Sequence, residues 1–155
     1  MNQLSLNTIT VDYATEKVSV SDYFIDQYSL QEQLKDDYKE AFAQGRFKEF
    51  LVPVLGREFS DKLDFQEDSM STRLPDDNES LITPIYGCHD NCCIYVFAEV
   101  SRQEDFVYWN TIGRNKMYLK NDESTSNIDW LPHFKPLKFN ISNYKTIINT
   151  LNSNQ

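Results

Sequence analysis

The chain has 155 residues, 40% of them hydrophobic and 14% aromatic, with only four glycines and five prolines. That suits one domain with a core of its own and excludes a disordered, linker-like or fibrous polypeptide. A net charge of −9 and a pI near 4.6 argue against a protein that binds nucleic acid directly or docks on an anionic membrane, since either would need a basic face.

The first residues, MNQLSLNTITVDYATEK, have neither the basic start nor the apolar core of a secretory leader. No apolar run approaches the ~20 residues of a membrane helix. Both observations place the expected protein in the cytoplasm. Residues 4–13 carry apolar points at Leu6, Ile9 and Val11, and residues 16–25 at Val18, Val20 and Tyr23 or Phe24. This pattern predicts two strands of an N-terminal hairpin turning at Ala14-Thr15. Ser29, with Glu32 three residues on, reads as a helix cap. Leu30 and Leu34 share a face of the helix that follows, expected over 29–44 and stopped by Gly45. Residues 46–55 hold Phe47, Phe50, Leu51 and Val54, but Pro53 breaks any long helix. A helical turn or irregular core is expected there.

The composition then shifts. Residues 58–79 hold Glu58, Asp61, Asp64, Glu67, Asp68, Asp76, Asp77 and Glu79 against Lys62 and Arg73, a net −6 of the chain's −9. An acidic loop region over about 58–80 is expected, with one strand near 62–65. Long surface loops of this kind often carry function. A solvated insertion accounts for the same residues.

Residues 84–87 read as a short extended piece and a turn. Cys88-His89-Asp90-Asn91-Cys92-Cys93 follows, with all three cysteines of the chain. An odd number fits reduced thiols rather than a disulfide framework. One such knuckle falls short of the paired knuckles of structural zinc sites. Adjacent Cys88 and His89 are poorly placed to activate one another as nucleophile and base. Small apolar packing in a tight turn is the simpler role, and neither metal nor other cofactor is expected. The alternative would be a thiol enzyme or zinc protein built on this turn.

The strongest strand pattern follows. Over 92–101, Ile94, Val96, Ala98 and Val100 make one face and Cys93, Tyr95, Phe97 and Glu99 the other, and both faces are expected to be covered near the start. Over 105–112, Val107 and Trp109 alternate with Phe106 and Tyr108. Residues 101–104 join the two as a hairpin, and Gly113 is expected to end the second strand. Residues 116–127 are polar, with a second acidic pair at Asp122 and Glu123. Trp130-Leu131-Pro132 is an apolar anchor, and 134–139 reads as an edge strand interrupted by Pro136. Asn140 caps a last helix whose Tyr144, Ile147, Ile148 and Leu151 form one apolar stripe. The class is α+β: one domain over 1–155, mainly antiparallel sheet around the central hairpin. There is no GxGxxG or P-loop pattern, so no nucleotide site is expected.

Tyr86-Gly87-Cys88, Cys92-Cys93, the strand to Val100, Val107-Tyr108-Trp109, Arg114-Asn115, Leu137-Lys138-Phe139 and Tyr144 together resemble a family of small bacterial proteins. These are toxin-immunity proteins of the contact-dependent growth inhibition type. The similar span is about 84–151, under half of the chain. The resemblance implies a non-enzymatic inhibitor that binds the C-terminal domain of one cognate toxin, and it carries no catalytic residues across. The charge fits independently: a toxin that is a nuclease needs a basic cleft, and an acidic inhibitor complements it. The partner-binding residues expected are Asp61, Asp64, Glu67, Asp68, Asp76, Asp77 and Glu79, helped by Asp122 and Glu123. The aromatic face at Tyr95, Phe97 and Tyr108 is the next candidate.

Overall fold

The computed structural model describes residues 1–13, 15–37, 51–56, 73–88, 95–115 and 128–153. The strands are β1 (Leu4–Tyr13), β2 (Glu16–Ile25), β3 (Tyr28–Ser29), β4 (Leu51–Pro53), β5 (Ser80–Cys88), β6 (Tyr95–Gln103), β7 (Phe106–Asn115), β8 (Ile128–Trp130) and β9 (Leu137–Asn140). Among the described residues two helices accompany them, α1 (Leu30–Asp37) and α2 (Ile141–Ser153). The strands form two antiparallel sheets: β1-β2-β3, and a larger one in the order β4-β5-β6-β7-β8 with β9 also on β7. The fold is α+β and mostly sheet, as the sequence predicts.

Alternation sets the faces. Val96, Ala98 and Val100 of β6 face the core, and register places Ile112, Trp109 and Val107 of β7 beside them. Asn110 is an extra residue in β7 there, because Glu99 pairs with Thr111 and Val100 with Trp109. This bulge keeps Trp109 and Ile112 on one side of the sheet although they are three apart in sequence. Trp109 is fully buried at the centre. Its indole meets Tyr23, Phe139 and Tyr144 edge-on at centroid distances of 6.0, 5.2 and 6.3 Å, and its Nε1–H donates to Tyr144 Oη at 3.0 Å. Leu4 and Tyr23 of the first sheet, Leu30 and Leu34 of α1, and Ile141 and Ile147 of α2 close the other side of this core.

Both predicted helix caps are present. Ser29 Oγ accepts from Glu32 N–H at 3.2 Å, and Asn140 Oδ1 accepts from Ser142 N–H at 2.8 Å. The predicted stripe of α2 is inward: Tyr144 and Ile147 are buried, and Ile148 and Leu151 pack partly against the core.

Several expectations change. Residues 84–87 belong to the nine-residue strand β5 rather than to a short piece and a turn, and the strand expected over 134–139 begins after Pro136, at Leu137. Gly113 does not end β7; it pairs with Phe97 on one side and Trp130 on the other. A Cβ there would lie 2.7 Å from Asp129 O, 2.7 Å from Ile128 Cγ2 and 2.9 Å from Trp130 Cε3. The glycine is needed because β8 passes so close. The hairpin turn is Glu104-Asp105 rather than 101–104, with Gln103 facing Phe106. Part of 46–55 is a strand, β4. Pro53 sits at its end, where a missing N–H costs the ladder nothing. Trp130 closes strand β8 rather than lying in a loop. The end of the 29–44 helix beyond Asp37, the strand near 62–65 and the turn at 89–94 fall outside the described residues.

Candidate functional site

Of the nine acids singled out, Asp76, Asp77 and Glu79 are described; Asp61, Asp64, Glu67, Asp68, Asp122 and Glu123 lie outside the described residues. The three stand at one end of the large sheet, and the reason is register. Ser80 opposes Ser101, so the chain entering β5 must run beside the β6–β7 turn. Asn78 N–H donates to Arg102 O at 2.8 Å and Arg102 N–H to Glu79 O at 3.1 Å. Asp77 Oδ1 accepts from Glu104 N–H at 2.7 Å. Both turns are tight enough to place Asn78 (φ 63°) and Glu104 (φ 54°) in the left-handed region, at a cost for a side chain such as glutamate.

Glu79 is occupied internally. Arg73 grips it with both terminal nitrogens, at 2.6 and 2.7 Å, and Asp76 N–H donates to it at 2.8 Å. The Arg73 fork, followed by that amide, holds the Glu79 carboxyl down to about 2. It therefore organises the tip rather than offering a charge to a partner. Asp76 is different: its side chain is 87% exposed, with Arg73 only at 3.8 Å. Asp77, Glu104 and Asp105 are exposed as well. Four carboxylates thus rim one end of the sheet. Glu104 and Asp105 were not foreseen as part of it. Their turn composition was visible, but their nearness to Asp76 and Asp77 depends on a strand pairing that no local pattern encodes.

Behind this rim lies a shallow depression of about 360 Å³ lined by Asp77, Asn78, Gln103, Glu104, Phe106, Tyr108 and Lys138. Lys138 reaches it from β9, which pairs Lys138 with Tyr108. Its Nζ stands 4.1 Å from the Phe106 ring centroid and 5.8 Å from that of Tyr108, a cation over ring faces. The aromatic face proposed as second candidate is corrected here. Phe97 is fully buried, its ring 6.2 Å from that of Tyr95, whereas Tyr95 and Tyr108 are half-exposed as expected, and Phe106 is half-exposed with them.

One acid is buried. Asp22 of β2 has no exposed surface. It accepts from Ser29 Oγ–H at 2.5 Å, from Gln31 N–H at 3.3 Å and from Tyr86 Oη–H. Burial pushes its carboxyl above the ordinary value of 3.8, against the pull of these donors. The side chain ties β2, α1 and β5 together. Among the described residues no three His, Cys, Asp or Glu side chains are grouped as metal ligands. Cys88 ends β5 and His133 is exposed in the turn before β9.

Comparison with protein-family models, curated proteins and solved structures finds no match. The fold and the site define an α+β protein with an acidic rim at one end of its main sheet. No helix among the described residues is long and apolar enough to cross a membrane.

Proposed function

We propose that this protein is an immunity protein of the cytoplasm, which binds the C-terminal domain of one cognate toxin and neutralises it by contact, with a basic nuclease domain as the favoured target. The observation that supports this best is the acidic rim. Asp76, Asp77, Glu104 and Asp105 are exposed together where the β6–β7 turn meets the chain entering β5. Carboxylates held on such a frame complement the cleft of an enzyme that grips phosphate backbones. The −9 charge of the whole chain adds a long-range field of the same sign, which speeds encounter with a basic partner.

The test is co-expression with the toxin domain encoded beside this protein. Protection of the cell and a co-eluting complex on gel filtration are expected. Undiminished toxicity with no complex would overturn the proposal. The site is tested separately by replacing Asp76, Asp77, Glu104 and Asp105 with Asn or Gln. A variant that still folds and binds as fast at low salt would move the interface away from this rim.

A further inference from the structure

β1 is the end strand of its sheet, paired on one side with β2. Gln3 O accepts from Asp26 N–H at 3.0 Å, so odd-numbered residues of β1 direct their backbone groups to β2. Even-numbered ones direct them outward, because both backbone groups of a strand residue point the same way. At Leu4 the outward groups are taken by a side chain: Leu4 N–H donates to Asn143 Oδ1 at 3.0 Å and Asn143 Nδ2–H to Leu4 O at 2.8 Å. Beyond that clamp, Leu6, Thr8 and Thr10 pair with no other strand among the described residues. Among the described residues their one outward bond is local, from Thr8 N–H to Asn7 Oδ1 at 3.2 Å.

Strand edges in soluble proteins are blunted by charge, proline or bulges. This edge has none of these. Leu4 to Val11 reads LSLNTITV, without a charge, in a chain of which 25% is charged. Its pairing with β2 runs through ten residue pairs without a shift. Asn7, Thr8 and Thr10 are exposed.

We propose that this edge pairs with the same edge of a second copy of the chain, antiparallel, about a two-fold axis through Ile9. In that register Thr8 faces Thr10 of the other copy, and Leu6 faces Asp12. Since Ile9 already opposes Val20, the axis creates one continuous row of Val20, Ile9, Ile9 and Val20 across four strands. On the opposite face the Thr8 and Thr10 hydroxyls meet in cross-strand pairs. The copy is favoured over a foreign extended peptide for two reasons. Both strands are already formed, so neither loses backbone freedom on pairing. The pairing also joins two three-stranded sheets, each of order β1-β2-β3, through their open β1 edges into one continuous sheet, so that both unpaired edges disappear at once. This inference stands apart from the acidic rim and from the toxin reading.

Light scattering coupled to gel filtration, from low micromolar to several hundred micromolar, tests it. A concentration-dependent species of twice 18.2 kDa is expected. Thr10→Pro removes one outward N–H and nothing from the β1–β2 ladder, so it leaves a folded monomer. Ile9→Cys should cross-link to its own copy under mild oxidation, since residues opposed on the axis without hydrogen bonds have Cα atoms about 4.5 Å apart, within disulfide span. Asn7→Cys, opposed by Val11, should not. A wild type that stays monomeric throughout the range overturns the proposal. So does a folded Thr10→Pro that remains dimeric. If Thr10→Pro fails to fold, absence of the Ile9→Cys cross-link over the parent protein overturns it.

Discussion

Asp22 shows how one side chain links chemistry to stability. Three donors from three elements converge on it, and burial raises its carboxyl pKa. The folded state therefore holds that proton more tightly than the unfolded chain does. The stability this supplies is fully present below the ordinary value of 3.8 and is lost as pH rises through the raised value. Asp22→Asn lacks the titration. Denaturant midpoints measured across this range should therefore fall with pH more steeply in the wild type than in the variant. Parallel profiles would contradict the reading. Asp22→Ala leaves three donors without an acceptor and should cost on the order of 3 kcal/mol. At Gly113 the argument is steric. The backbone oxygen of Asp129 stands 2.7 Å from where a Cβ would go, and strands cannot part without losing their ladder. Gly113→Ala should destabilise by about 1–3 kcal/mol, read from a shifted denaturant midpoint at unchanged m-value.

At the level of elements, side-chain amides stand in for missing strands. Gln31 of α1 accepts from Leu51 N–H at 2.7 Å and donates to Leu51 O at 3.3 Å, sealing the edge at β4. Asn143 of α2 does the same to Leu4. Asn2 accepts from Lys138 N–H at 3.0 Å and donates to Asp26 Oδ2 at 2.6 Å, joining β9 to the turn after β2. A primary amide carries its carbonyl oxygen and an N–H side by side, so it can accept from the N–H and donate to the C=O of one strand residue. Asn143→Ala should cost about 1–3 kcal/mol, because it strands a donor and an acceptor of buried Leu4. Hydrogen exchange at Leu4 should quicken by more than the global loss of stability explains. Exchange that follows global unfolding alone would rule the clamp out.

On the scale of the whole molecule, the charge is distributed asymmetrically: a net −6 of the −9 lies in residues 58–79, and Asp76 and Asp77 join Glu104 and Asp105 at the sheet end. Exposed charges act through the encounter rate more than through the bound state. Neutralising the four rim acids should slow association with a basic partner by on the order of tenfold or more at low salt, with a much smaller effect on dissociation. The difference should shrink near physiological ionic strength, where screening acts within about 8 Å. Stopped-flow association at two salt concentrations checks both statements. An unchanged rate at low salt would exclude the rim as the steering surface.

Local physics made much of this protein readable in advance. Alternation of β-branched and aromatic residues marked β6 and β7, because a strand buried on one face repeats every second residue. Ser29 and Asn140 marked helix starts, because a short polar side chain satisfies amides that a helix leaves open. Tyr144, Ile147, Ile148 and Leu151 marked the buried stripe of α2. What remained depended on contacts between residues far apart in the chain. The glycine at 113 looked like a terminator, and only the approach of β8 shows that it is a mid-strand position without room for a Cβ. Phe97 looked like a surface aromatic and is fully buried, since period-two alternation separates two faces without saying which is covered. Asp77 and Glu104 are 27 residues apart and share a hydrogen bond. Their meeting follows from the β5–β6 register, which is set by core packing along both strands and by the bulge at Ile85, where Pro84 pairs with Phe97 and Tyr86 with Val96. Residue type determined what each segment would form; the pairing of distant segments decided which charges share a surface.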